Sequence, residues 1–290
     1  MAQSTATYDT QQAFEVRSYD IEYQNAHDES WQARIYQPQG EGPFPAILDV
    51  HGGAWNAGNR LNSELMCHSL ASSGLVVAAV DFRLAPEHPY PAQVVDVNYA
   101  TRWLKAHARE FNADGSSIGA HASSSGGHTM MLSAMRPNDP RYAELTSADV
   151  EGYDASVSYL LLTWPVLDPY ARYLYSKETG RESLITNTEA YFLTEDAMKE
   201  GNPQHILEQG EQVQLPPTII IQGTADLNVP MSIPHRFVEA YRAAGGEIQL
   251  EEFHDLPHGF GRQPGEATDR ALDLMKRFVE SRLAVQTTTV

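Results

Sequence analysis

Two short segments, Pro45–Val50 (PAILDV) and Thr218–Gln222 (TIIIQ), are apolar at nearly every position and do not alternate. A strand of that kind must be covered on both faces, which is the condition of an inner strand in a parallel sheet flanked by helices. The rest of the chain has the same organisation, with apolar runs punctuated by Gly and Pro and helical periodicity between them. Strands are expected at Val16–Tyr23, Trp31–Gln37, Phe44–Val50, Leu75–Phe82, Ser116–His121, Ser156–Thr163, Pro217–Gln222 and Glu247–Phe253. The first two alternate and are separated by the polar Asn25–Ser30, so they are expected to open the sheet as an antiparallel hairpin. Helices are expected over Asn62–Ser72, Val94–Phe111, Gly126–Met135, Ile233–Ala243 and Ala267–Leu283. The fold class is therefore α/β, a mostly parallel eight-stranded sheet flanked by helices. Asp168–Leu215 breaks the alternation: it is rich in Tyr, Glu and Asn and holds no convincing buried strand. It reads as an inserted helical cap within a single domain spanning 1–290, and Gln286–Val290 reads as a frayed tail.

A chain of 290 residues, 42% of them hydrophobic, is long enough to bury a sizeable core. Its 20 Lys and Arg face 38 Asp and Glu, a formal charge of −18, which sets it against polyanionic partners such as nucleic acid. The surplus is read as a means of solubility. A lone cysteine, Cys67, cannot form an internal disulfide and is expected to be a small buried hydrophobe. Met1–Gln12 has neither a basic nor an apolar region of a secretory leader, so a cytoplasmic location is expected. The longest apolar stretches, Leu75–Val80 and Leu160–Leu162, fall far short of the roughly 20 residues that span a bilayer. The sequence carries no HExxH, Walker A loop or strand-linked GxGxxG, so neither a metal nor a nucleotide cofactor is expected.

The chemistry is concentrated in Ser116–His128 (SSIGAHASSSGGH), where an apolar strand runs into small residues and then a helix. A sharp strand-turn-helix that exposes a nucleophile needs tiny residues two before and two after it, because the two backbones approach closely. Ala122 and Gly126 meet that requirement around Ser124. Ser125 is the competing register, but it would put Ser123 where the smallest side chain is needed. The other reading of the segment is a Ser/Gly-rich helix cap.

His51-Gly52-Gly53-Ala54-Trp55 follows the apolar strand that ends at Val50. A glycine pair there frees backbone N–H groups to point into a site, where with the N–H of Ser125 they could stabilise an oxyanion. A serine nucleophile also requires a histidine base and an acid to orient it. Asp226 follows the strand Pro217–Gln222, and His258 lies beyond the last strand, ahead of Gly259. The chain order Ser124, Asp226, His258 is nucleophile, acid, base. His254 is the rival base, and Asp168 the rival acid, although its turn context suits a helix cap.

HGGAW, DFRLAPEHPYPA at Asp81–Ala92, the elbow, WPVLDP, GTAD and PHGF together resemble the hormone-sensitive-lipase-like carboxylesterases of the α/β-hydrolase superfamily, over roughly Phe44–Phe260. The resemblance implies the α/β-hydrolase fold, with Ser124 as nucleophile, Asp226 as acid, His258 as base, and the N–H groups of Gly53, Ala54 and Ser125 as the oxyanion hole. Gly52 is implied to permit the turn and, with Trp55, to border the substrate; Trp55 either walls the acyl pocket or packs under the cap. The sequence departs from the pattern at Ala54, where a third Gly is common, and in GTADLNVP, which is closer to arylformamidase-like relatives. Arg83, Glu87, His88, His121 and His128 are read as structural. Tyr170, Tyr173, Tyr175, Tyr191 and Phe192 are read as packing, with a site-lining role as the alternative. The expected function is a cofactor-free serine hydrolase acting on small, short-acyl carboxylic esters; the alternatives are an arylformamidase-like amidase and a non-catalytic binding protein. The expected partner is a small-molecule ester, with neither nucleic acid nor membrane, and a homodimer is compatible with the sequence.

Overall fold

The computed structural model describes residues 8–26 and 29–287. Most of the N-terminal stretch read above for a leader, the centre of the first hairpin turn and the last three residues lie outside them. Eight strands form one sheet: β1 (Val16–Ala26), β2 (Glu29–Pro38), β3 (Phe44–Val50), β4 (Val76–Val80), β5 (Ala113–Ser123), β6 (Leu160–Thr163), β7 (Thr218–Gly223) and β8 (Ile248–Phe253). Their spatial order is β1-β2-β4-β3-β5-β6-β7-β8. β1 and β2 pair antiparallel, as do β2 and β4; every other pair is parallel. All eight expected strands are present, with the expected hairpin at the start.

Alternate residues of the inner strands feed two cores. Ala46, Leu48, Val50, Leu160, Leu162 and Ile220 face one side, and Ile47, Leu161, Ile219 and Ile221 the other. The first face is covered by α2 (Ala92–His107), α3 (Ser125–Met135) and α8 (Ser232–Ala243), through Val94, Trp103, Met131 and Phe237. The second is covered by α1 (Glu64–Ser72) and α9 (Glu266–Thr287), through Cys67, Leu70, Met275 and Phe278. Asp49 is the polar exception in β3: it sits opposite His121 in β5, and its carboxylate lies 2.5 Å from His121 Nδ1 with both side chains fully buried. A buried charge survives in such a sheet only when it is paired.

Several boundaries differ from the sequence reading: β5 is longer (Ala113–Ser123), and β4 (Val76–Val80) and β6 (Leu160–Thr163) are shorter. α2 ends at His107 and gives way to a tight turn, Ala108–Phe111, closed by Asn112 in the left-handed region (φ 59°). α9 continues to Thr287, so Gln286 belongs to a helix and not to a frayed tail.

Between β6 and β7 the chain forms four short helices, α4 (Pro169–Glu178), α5 (Glu182–Phe192), α6 (Glu195–Glu200) and α7 (Pro203–Glu208). Three of the four starts are written locally. Asp168 Oδ1 accepts the Ala171 N–H (2.9 Å), Thr194 Oγ1 accepts that of Ala197 (3.1 Å) and Asn202 Oδ1 that of Gln204 (3.0 Å). Pro169 and Pro203 occupy first-turn positions, where a missing N–H costs nothing. α4, α5 and α6 share a third apolar cluster, with Tyr173, Tyr191, Phe192 and Met198 around Trp55, while α7 packs Ile206 and Leu207 into the first core. No described helix is long and apolar enough to cross a membrane.

The strand order places the site. From β3 the chain crosses to β4 on one side, and from β5 it crosses to β6 on the other. The loops leaving β3 and β5 therefore diverge and open a crevice at their C-terminal ends, the place where open α/β sheets bind ligands.

Candidate active site

Ser124 stands at the end of β5 with φ 51° and ψ −120°, a conformation a non-glycine residue adopts only under constraint. Neighbouring strands impose it: the Ser124 N–H donates to Thr163 O (3.0 Å), while Ser124 O accepts from Gly127 and Val166 N–H (3.0 Å each). The turn also needs Gly126. A Cβ there would lie 2.3 Å from His51 O and 2.4 Å from Val50 O, backbone atoms that cannot step aside. Ala122 is buried in the ladder between Val50 and Leu162, so its methyl group is accommodated in the core.

Ser124 Oγ lies 3.0 Å from His258 Nε2, and His258 Nδ1 lies 2.7 Å from Asp226 Oδ2. Because the carboxylate can only accept, the Asp226 contact assigns the proton to Nδ1 and leaves Nε2 free to accept the serine hydroxyl proton. Asp226 is fixed in turn. Its Oδ2 also accepts from Gln222 Nε2 (2.8 Å), and its Oδ1 accepts the N–H groups of Asn228 and Val229 (2.8 Å each). The Asp226 side chain is inaccessible and that of His258 is 15% exposed, so the pair is largely screened from solvent but reachable from one side.

The rivals take other places. Asp168 caps α4 and also accepts from Asn202 Nδ2 (2.9 Å). His254 is 89% exposed and pairs with its neighbour Asp255. Ser125 Oγ accepts the Trp55 N–H (3.2 Å) and so ties two loops together.

The HGGAW loop turns immediately beside Ser124: a Cβ on Gly52 would come within 2.9 Å of Ser124 Cβ. Gly53 has φ +138°, and a Cβ there would strike Ala57 O at 1.8 Å. Ala54 (φ 51°) and Trp55 (φ 66°) follow in the left-handed region. Among the described residues, the N–H groups of Gly53, Ala54 and Ser125 donate to no protein acceptor. Ser125 is the first residue of α3, so its free N–H also carries the positive end of the helix dipole.

Trp55 does not border the cleft. It is 1% exposed, stacks flat on Tyr191 (5.1 Å between centroids) and meets Phe192 edge-on. The packing alternative therefore describes its place. Tyr173, Tyr191 and Phe192 are likewise buried in that cluster. Arg83 is structural, gripping Asp96 through Nε and Nη2 (3.1 and 2.8 Å to Oδ1).

A cleft of about 380 Å³ opens next to the elbow, lined by Gly52, Leu61–Met66, Ser123, Trp164, Gly261 and Arg262; Ser124, Asp226 and His258 are not among the residues that line it. Trp164 stands edge-on to the His258 ring. Leu61–Met66 and Gly261 were not singled out from sequence, because no motif marks a residue that meets the site only through the crossing of loops; Trp164 opens the WPVLDP motif but was given no role there. Other contacts found only here are those of Gln222 and Asn228 to the acid, and of His128, whose Nδ1 lies 3.1 Å from Trp55 Nε1.

Comparison with known proteins identifies the family and the fold. The BD-FAE family model matches residues 34–241, more than half of the chain. Esterase LipC of Mycobacterium tuberculosis is 30% identical over 237 residues, covering 78% of this chain and 55% of LipC. Esterase LipI of the same organism is 30% identical over 256 residues, covering 82% of this chain and 75% of LipI. The chain thus spans about half the length of LipC and of the probable carboxylic ester hydrolase LipM (50%). Among solved structures, Thermogutta terrifontis esterase 2 with butyrate bound superposes with a TM-score of 0.72 at 27% identity, over 92% of this chain and 93% of that one. The same esterase phosphoramylated by tabun gives 0.72 and 27%, over 90% and 93%. With its strand order, its elbow and these relatives, the chain belongs to the BD-FAE family, within the hormone-sensitive-lipase-like esterases of the α/β-hydrolase superfamily.

Proposed function

We propose that the protein is a serine hydrolase that cleaves small, short-acyl carboxylic esters through an acyl-enzyme. The observation that carries this reading is the unbroken relay from Asp226 to His258 to Ser124, at 2.7 and 3.0 Å, beside three N–H groups without acceptors. Ser124 Oγ attacks the ester carbonyl carbon while His258 Nε2 takes the hydroxyl proton. The carbonyl oxygen becomes an oxyanion that accepts from Gly53, Ala54 and Ser125; one such donor is worth about 10²- to 10³-fold in rate. The bond to the alcohol oxygen breaks and His258 returns the proton to it, leaving an acyl group on Ser124. Water, deprotonated by His258, then attacks the acyl carbon, and the proton returns to Ser124 Oγ as the acid departs. Asp226 remains a carboxylate and stabilises the imidazolium of each half-reaction.

The cleft of about 380 Å³ supports a small substrate, being at the lower end of ligand pockets. Helices α4–α7 act in this reading as the cap, an insertion at 168–215 within a single domain, and Cys67, buried and single, supports a cytoplasmic location.

Covalent labelling by a fluorophosphonate with peptide mapping tests the proposal. Wild type should carry the label on Ser124 and Ser124→Ala should carry none. Label on another serine, or full esterase activity in Ser124→Ala, would overturn it. A p-nitrophenyl ester series should favour acetate to butyrate, and faster turnover of a matched N-formyl anilide would instead make the enzyme an amidase.

A further inference from the structure

The oxyanion turn is strained and is held from below. Ala54 and Trp55 are consecutive non-glycine residues at φ 51° and 66°, a strained conformation that persists only where the surroundings over-determine it. The restraint converges on Trp55. Its N–H is tied to Ser125 Oγ, its carbonyl accepts from Gln93 Nε2 (2.6 Å) and Ala85 N–H (3.0 Å), and its indole Nε1 donates to His128 Nδ1 (3.1 Å). His128 lies fully buried on α3, one turn beyond the nucleophile, and its Nε2 is 2.8 Å from Gly201 O at the end of α6. A carbonyl can only accept, so Nε2 carries the proton and Nδ1 is the acceptor the indole requires. Burial also pushes the His128 pKa down to about 4, which keeps the ring in that neutral form.

We propose that His128 is a positioning residue for the oxyanion hole: by accepting the Trp55 indole N–H it holds the Ala54–Trp55 turn that aims the Gly53 and Ala54 N–H groups at the reacting carbonyl oxygen. The inference rests on the esterase reading above. Its other arm, Nε2 to Gly201, couples the same turn to the helices between β6 and β7, beside the Tyr191 ring stacked on the Trp55 indole.

The two arms separate by substitution. His128→Asn keeps an acceptor near the Nδ1 position; His128→Gln keeps a donor near Nε2; His128→Phe keeps only the ring. Trp55→Phe removes the indole N–H while keeping a stacked ring. With p-nitrophenyl acetate, His128→Phe, His128→Gln and Trp55→Phe should lose kcat about 10- to 100-fold with KM within about twofold, the signature of a contact that acts in the transition state. The rate of fluorophosphonate labelling of Ser124 should fall in parallel, and His128→Asn should recover kcat to within about threefold of wild type. The Trp55→Phe/His128→Phe pair should be no worse than either single change.

Unchanged kcat in His128→Phe, an effect on KM alone, or a His128→Asn variant as slow as His128→Phe would overturn the proposal. Should His128→Phe fail to fold by circular dichroism, Trp55→Phe decides on the same criteria. A wild type that neither labels at Ser124 nor hydrolyses the ester removes the esterase reading, and the proposal with it. Normal labelling in wild type and His128→Phe alike removes only the proposal.

Discussion

The Asp226 carboxylate accepts from His258, Gln222, Asn228 and Val229, all at 2.7–2.8 Å, so each of its oxygens already has two donors. Asp226→Asn turns an NH₂ toward groups that also donate and removes the acceptor that fixes the His258 tautomer. It should lower kcat for p-nitrophenyl acetate by about 10³- to 10⁴-fold with little change in KM, measured by steady-state kinetics. Gly126→Ala pushes a methyl group into two backbone carbonyls and should cost about 1–3 kcal/mol in denaturant unfolding while slowing phosphonate labelling. Residues of this kind were legible in the sequence, because an elbow, a glycine turn and two post-strand loops each have a steric or chemical requirement that spacing expresses. The bond between Trp55 and His128 was not. Its partners lie 73 positions apart in the chain, and only the packing of α3 beneath the turn brings them together. Gln222 was visible as part of a buried strand, but its bond to the acid depends on how the chain turns after Gly223.

At the scale of elements, the inner strands were readable because full burial on both faces leaves an apolar run. Asp49 shows what such a pattern conceals. Its pairing with His121 crosses from β3 to β5 and is invisible until the strand order is known. His121→Leu leaves the Asp49 carboxylate uncompensated and should destabilise the protein by about 3–5 kcal/mol in urea unfolding, whereas Asp49→Val with His121→Leu should recover most of that loss. An equal loss in the single and double variants would show that packing and not charge decides. The four helices between β6 and β7 were expected only as an insertion. The starts of α4, α6 and α7 became legible through Asp168, Thr194 and Asn202, whose caps are local, but the core that α4, α5 and α6 share around Trp55 is a tertiary fact.

For the whole molecule, acid should unfold the protein in two overlapping stages. The His128 pKa is depressed from 6.5 to about 4, so the unfolded chain takes up a proton at this site before the native state does. Stability attributable to His128 is therefore full above about pH 6.5 and is lost as pH falls toward 4. His51, also held neutral by burial, acts in the same direction, while the exposed pairs of His107 with Asp149 and Glu110 raise its pKa and act in the opposite one. The guanidiniums of Arg34 and Arg60 beside Asp20, and of Arg141 beside Asp139, hold those carboxyls below their usual range, so their contribution is lost at still lower pH. Thermal unfolding midpoints should fall from pH 7 to 4, and His128→Asn should flatten the part of that fall between 6.5 and 4. An identical pH profile in the variant would contradict the assignment.

The segment from 164 to 217 leaves the sheet at β6 and returns at β7, two strands that are direct neighbours. Sheet geometry places little demand on what fills such a gap, since loop closure grows costlier only slowly with length. The demand comes from the imidazole of His128 and the indole of Trp55, which need a carbonyl at the place of Gly201 and a flat ring at the place of Tyr191. A transplanted segment that supplies those two groups, with Trp164 and the Val166 N–H kept in place, should leave catalysis intact. One that omits them should impair turnover even for the smallest ester, so the exchangeable part of this architecture comes with a two-point plug.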